Sequence, residues 1–347
     1  MRIGDFKETY TADEAVFSSL TSRVWLGILF LLLFIFPFIA NDYLLYMANI
    51  TGIAVVAAIG LNILTGAAGQ ISLGHAAFVG IGAYTSALLT NHFGLPFLVC
   101  LPLAGLMSAF FGIIVGAPSM RMKGLYLCIT TLAAQVIFEF IFVHWESLTG
   151  GIRGLNVPPP SIFGHVIEGE FGFYWLVLPV IILTATGTRN LFRTRVGRAF
   201  IAIRDRDISA ELMGINLFRY KLYAFACSSF IAGMAGCLWV NHLKTITPEH
   251  FPLHESIRYL AMIIVGGLGN VIGAIFGAVF MTLIPELLQT ILKFFEHFTP
   301  EAMAYLYPLQ TVVFGLLIVV FLVFEPHGLA EIWRRIKNYF RLWPFKH

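Results

Sequence analysis

The amino-acid sequence predicts an all-α, polytopic membrane protein, and three observations carry that prediction. Only 12% of its 347 residues are Asp, Glu, Lys or Arg, while 58% are hydrophobic; a soluble domain carries about twice that share of charge. Long apolar runs recur along the whole chain, and runs of about 18 residues read as membrane helices. The runs are too uniformly apolar for the alternating strands of a barrel. Backbone groups in lipid must bond internally, which leaves helices.

In chain order the runs fall near Val24–Ala40, Tyr43–Thr65, Gly74–His92, Leu95–Ala117 and Gly124–His144. Others follow near Phe173–Gly187, Leu222–Asn241, Ser256–Leu268, Val271–Leu292 and Pro308–Phe324. About ten membrane segments are therefore expected within residues 24–325, flanked by a polar segment at 1–23 and a basic tail at 326–347. Mixed polar residues, including Asp5, Glu8, Asp13 and Glu14, precede the first run. A signal peptide would lead with a short basic region, so an uncleaved first helix is expected. Ser256–Leu268 is short for a span, at about 1.5 Å per residue against a core of about 30 Å. With Val271–Leu292 it is expected to form a hairpin whose first arm is re-entrant, turning at Gly266–Asn270.

Basic residues orient the chain, because cytoplasmic loops retain them. With the N-terminus inside, three fall in the N-terminal segment (Arg2, Lys7, Arg23), two at Arg121 and Lys123, eight between Arg189 and Lys221, and five from Arg334 to Lys346. That places 18 of the 22 Lys and Arg residues on one side and leaves Arg153, Lys244, Arg258 and Lys293 on the other. Both termini are expected in the cytoplasm. The largest outside loop, Trp145–Gly172, contains "TGGIRGLNVPPP", whose Gly and Pro residues predict ordered turns. It reads either as a connector or as a surface for an external partner. The net charge of +3 says little about partners, and no nucleic-acid partner is expected. Cys100, Cys128, Cys227 and Cys237 lie in apolar runs without metal-ligand spacing and read as small buried hydrophobes.

One segment resists the apolar trend. "RAFIAIRDRDISAELMGINLFRYK", Arg198–Lys221, holds eight charged residues in 24. Ile201, Ile208, Leu212 and Ile215 are spaced by 7, 4 and 3, which predicts one short helix with an apolar stripe. Arg204, Asp205, Arg206, Asp207 and Glu211 fall largely off that stripe, and Gly214 followed by Asn216 suits a helix stop. The helix could lie on the membrane surface near anionic lipid. Alternatively, its apolar face could dock into a cleft on a cytoplasmic partner, with the charges fixing register; Met213 is interleaved with those charges. No G-x-x-x-x-G-K-[ST] phosphate loop occurs in the chain. If transport here is ATP-driven, the ATPase is a separate chain, so no cofactor is expected on this one.

Five motifs in order now bear on the family: "GLNILTGAAGQISLGHAAFVGIGAYTSALL", "MRMKGLYLCITTLA", "LTGGIRGLNVPPP", "GRAFIAIRDRDISAELMGINLFRYKLYAFACSSFIAGMAGCLW" and "ITPEHFPLHESIRYLAMIIVGGLGNVIGAIFGAVFMTLIPELL". Together they resemble the permease subunits of branched-chain amino-acid ABC importers of the LivM type, over roughly Ile50–Leu329. The resemblance implies a non-enzymatic transport subunit of a bacterial inner membrane. It implies a homologous LivH-like second permease, two cytoplasmic ATPase subunits that bind ATP and Mg, and an extracytoplasmic binding protein. It makes the charged segment a coupling helix, Arg204–Asn216. ABC importers often carry E-A-A-x-x-x-G there. In "ISAELMG" Ala210 and Gly214 fit, while Ile208 and Ser209 replace the first Glu and Ala. A related permease for urea or short amides shares much of this signature. An ATP-independent transporter or channel would call for midplane acids, and only Glu139 comes near.

Asn62, Gln70, Ser72 and His75 are candidate path residues, because polar groups in spans face protein or water. Helix-to-helix hydrogen bonding is the plainer reading of all four. Gly60, Gly80, Gly82 and Ala83 suit close helix packing. Gly269, Gly273 and Gly277 share one face, a seam for another helix or for the partner permease.

Overall fold

The computed structural model describes residues 20–119, 124–162, 164–296, 306–325 and 328–342. The polar stretch before residue 20, Arg121, Lys123 and the end of the basic tail lie outside them. The chain divides into two compact units, residues 1–47 and 48–347. The described part of the first holds α1 (Leu20–Ile39) and the opening turns of α2 (Asp42–Leu61).

Every apolar run forms a helix. α2 continues as a π-helical segment, Asn62–Ala67. After it come α3 (His75–Phe93), α4 (Phe97–Ser119), α5 (Leu125–His144) and a single turn, α6 (Glu146–Thr149). The long helix α7 (Gly169–Arg193) leads into α8 (Arg195–Asp205), α9 (Asp207–Leu212) and α10 (Leu217–Leu243). The chain ends with α11 (Leu253–Gly266), α12 (Val271–Glu296), α13 (Leu306–Phe324) and α14 (Gly328–Leu342). Among the described residues, α2, α4, α5, α7, α10 and α12 are long and apolar enough to cross a membrane. The 14 residues of α11 reach only about 21 Å. The Gly/Pro-rich loop is ordered, as its turns predict. β1 (Leu155–Asn156) pairs antiparallel with β4 (Thr245–Ile246), and β2 (Ser161–Ile162) with β3 (His165–Val166).

α10 is the axis of the second unit, with α3 and α4 packed along it. Small residues bring the backbones together. Gly82 meets the backbone of Gly233, and Gly236 meets Val79. A β-carbon on Gly233 would stand 2.5 Å from the Ala104 carbonyl oxygen of α4. Of the predicted Gly269, Gly273 and Gly277 face, Gly269 falls outside the helix, in the left-handed turn before α12 with φ +78, while Gly273 and Gly277 have a definite use. They pack on Gly266 and Met262 of α11, so this seam joins two helices of one chain. α14 was legible only as a basic tail. It begins at Gly328, whose φ of +70 and contact with the backbone of Gly266 and Gly267 leave no room for a side chain.

Candidate functional site

The charged segment folds as two helices, not one. α8 ends at Asp205, α9 begins at Asp207, and Arg206 between them is extended, with φ −156° and ψ 102°. Thr194 caps α8 by accepting from the Gly197 amide at 3.3 Å. The single Ile201–Ile215 stripe is therefore broken. The buried positions of α8 are Gly197, Ala199, Phe200 and Ile203, while Ile201 is half-buried. In α9 only Ala210 is buried. Ile208, Leu212 and Met213 stand 67%, 84% and 84% exposed, an apolar tip bounded by Glu211. The helix stop lies where Gly214 predicts it. Its φ is +85, and its amide donates to the Glu211 carbonyl at 2.9 Å. Ile215 is half-buried, and the Asn216 side chain starts α10 by accepting from the Arg219 amide at 3.0 Å. Asp207, an acid in a first turn, was the signal for the break. Counting apolar spacing alone passes over it.

Arg204 joins this helix pair to the body. Its Nη1 donates to the Gly66 carbonyl at 3.0 Å, and its Nε and Nη2 donate to Asp205 Oδ1 at 3.0 and 2.9 Å. Gly66 lies in the π-helical end of α2, where carbonyls lack partners within the helix. The same segment holds Asn62, fully buried. Its amide nitrogen donates to the Asn270 carbonyl at 3.0 Å, and its oxygen accepts from the Gly269 amide at 2.9 Å. Asn270 in turn caps α12, accepting from the Ile272 amide at 3.0 Å. Three separate elements thus meet at one point: the end of α8, the π end of α2 and the α11–α12 turn.

A model of the family described as the permease component of the branched-chain amino acid transport system matches residues 43–322. The chain belongs to that family. It is similar to the high-affinity branched-chain amino acid permease LivM of Escherichia coli K12, at 30% identity over 92% of this chain and 78% of the relative. A probable LivH permease of Methanocaldococcus jannaschii is 25% identical over 74% of this chain and 82% of its own length. The autoinducer 2 import permease LsrC of an Enterobacter strain is 28% identical over 58% of each. No solved structure matches the chain.

In this permease the four polar path candidates are buried and have different surroundings. Asn62 is engaged by the α11–α12 turn. Ser72 is buried and accepts from the Gly74 amide at 3.3 Å. His75 is buried, pairs through Nε2 with the Ala57 carbonyl at 2.9 Å, and meets the Tyr259 ring edge-on at 5.6 Å. Gln70 differs. It is 3% exposed, and neither of its amide atoms has a hydrogen-bond partner. It lines a cleft of about 220 Å³ together with Ala68, Leu127, Arg204, Arg206 and Lys221.

Sequence reasoning missed a second polar centre. The first-turn amides of α3 are buried and need acceptors. Ala77 donates to Gln135 Oε1 at 2.8 Å, and Ala76 donates to Ser256 Oγ at 2.9 Å. Gln135 Nε2 donates to the Phe251 carbonyl at 2.7 Å, and Ser256 Oγ donates back to Gln135 Oε1 at 3.2 Å. One amide from α5 therefore ties α3 to the start of α11. Further along, Glu170 Oε2 accepts from Asn49 Nδ2 at 2.8 Å and pairs with His242 Nε2 at 2.9 Å. A polar side chain inside an apolar run, such as Gln135, was the available signal.

Proposed function

We propose that this chain is the transmembrane permease subunit of an ABC importer for branched-chain amino acids. It alternates between outward- and inward-open states, and separate ATPase subunits drive it by docking on the α8–α9 pair. The observation that supports this most directly is the exposed apolar tip at Ile208, Leu212 and Met213, on a chain whose family consists of transport permeases. Exposed apolar groups flanked by charge suit a partner cleft. The relatives named LivM and LivH support pairing with a second, homologous permease, and an external binding protein would deliver substrate. The inner membrane of a bacterium is the expected location, with both termini cytoplasmic. ATP and Mg would bind the partner ATPases, not this chain.

The test is co-expression with a LivH-like permease and candidate ATPase subunits, followed by co-purification and ATPase assay. Binding and stimulated turnover are expected, with ATP-dependent L-leucine uptake in proteoliposomes. A chain that neither binds the ATPases nor stimulates them ends this reading. Glu211→Arg should uncouple uptake while leaving insertion intact, because Glu211 is exposed and exposed substitutions usually cost little stability.

A further inference from the structure

We infer that Arg204 is a positioning residue that binds the cytoplasmic helix pair to both breaks in the membrane helices, so that they move as one piece. The inference rests on the transport reading above but adds a specific route through the fold. Arg204 lies in the last turn of α8, three residues before the Asp207–Leu212 helix. Its guanidinium has donors pointing in fixed directions. Two of them are held by Asp205, which fixes the plane, and Nη1 is thereby aimed at the Gly66 carbonyl.

The contact is close on both sides. At Gly69, φ is +68 and a β-carbon would come within 2.9 Å of Arg204 Cγ. At Gly269, a β-carbon would come within 2.8 Å of Arg204 Nη1. The side chain therefore sits between the two breaks, and glycine on each side makes its place. Behind it, Asn62 grips the backbone of Gly269 and Asn270 with both ends of its amide. Gly66 completes the triangle, because a β-carbon there would collide with Asn62 Oδ1 and the Gly269 nitrogen. Residues some 200 apart in sequence are thus locked by hydrogen bonds that involve main-chain atoms at every joint. A displacement of α9 reaches the end of α2 and the start of α12 through Arg204, with little slack. Such π-helical segments recur at functional sites, and here the segment presents the carbonyl that receives the arginine.

The first experiment needs only this chain. Hydrogen–deuterium exchange is measured on the purified full chain in lipid nanodiscs, as wild type, Arg204→Ala and Arg204→Lys. A hydrogen bond to a charged group is lost in Arg204→Ala, so exchange should quicken by about tenfold in both segments 62–70 and 266–271. Arg204→Lys should be intermediate, because lysine keeps the charge but lacks the planar fork that fixes the direction of its donors. Quickening confined to one of the segments, or absent from both, overturns the link.

The second experiment uses the full complex and reads L-leucine moved per ATP hydrolysed. Arg204→Ala and Asn62→Ala should each lower that ratio while the ATPases still co-purify. The double variant should be no worse than the worse single one, since both cut one connection. Additive losses, or loss of ATPase binding in Arg204→Ala, would show ordinary structural damage. A wild-type complex that moves no leucine would count against the transport reading alone, and the exchange result would still decide the link.

Discussion

The Gln135 centre and the α8–α9 tip are built on opposite principles. Around Gln135 the side-chain amide is answered from within at both its oxygen and its nitrogen. Its amide meets Ala77, Phe251 and Ser256, and aromatic rings close over the Phe251 side, with Trp239 5.1 Å and Tyr84 6.5 Å from it between ring centres. At the tip, three large apolar side chains are exposed, and the nearby Gln70 amide is buried without a partner. Buried polar groups are expensive unless paired, and exposed apolar patches mark contacts still to be made. The first region therefore holds this chain together. The second is where the proposed partner would dock. Stability and coupling should accordingly separate on mutation.

The largest effect on stability is expected at Gln135→Leu. It strands the Ala77 amide and the Phe251 carbonyl in a dry interior, at about 1–3 kcal/mol for each group. The thermal midpoint of the purified chain should fall by about 5 °C or more. An unchanged midpoint would mean that the centre is not the closed unit its hydrogen bonds describe.

A smaller effect is expected from pH at the edge of that centre. His250 lies in the loop before α11. Its Nδ1 accepts from the Thr247 amide at 3.2 Å, and its ring lies 4.5 Å from Trp239. Burial pushes its pKa down, opposed in part by the Glu249 carboxylate. The folded state therefore binds the proton less readily than the unfolded chain does. The stabilisation is fully present above the ordinary histidine pKa of about 6.5 and is lost as pH falls through the folded value. Comparing midpoints at alkaline and mildly acidic pH, wild type should lose more than His250→Gln. Equal losses would remove His250 from the account.

The smallest effect on stability, and the sharpest contrast, is expected for Leu212→Ser with Met213→Ser. Both side chains are 84% exposed, and such substitutions usually stay within about 0.5 kcal/mol. The midpoint should hold while capture of the ATPase subunits fails. A variant that unfolds, or that still captures them, would dissolve the distinction between the two regions.

Much of this was legible from residue order. Apolar runs located the helices, because the energetics of lipid leave a helix as the available form for such a run. Gly214 located the end of α9, since its left-handed backbone suits glycine. The break at Arg206 was missed because a stripe spaced by 7, 4 and 3 fits a continuous helix equally well. The buried positions Phe200, Ile203 and Ala210 became visible only with the body they pack against. Asn62 stood out as a polar residue in a span, but its two partners lie in a turn more than 200 residues away.

The helical class, the family signature, the concentration of charge in one segment and the absence of a phosphate loop can all be read from residue order. These follow from local composition and spacing, which the lipid environment and backbone hydrogen bonding constrain strongly. Which polar groups are mutually satisfied and which are left open emerges only from the folded packing. That packing put Gly273 and Gly277 against α11 rather than against another subunit, and it aimed Arg204 at the end of α2. Hydrogen bonds and glycine contacts depend on distances of a few tenths of an ångström between remote segments, and spacing along the chain carries no record of those distances.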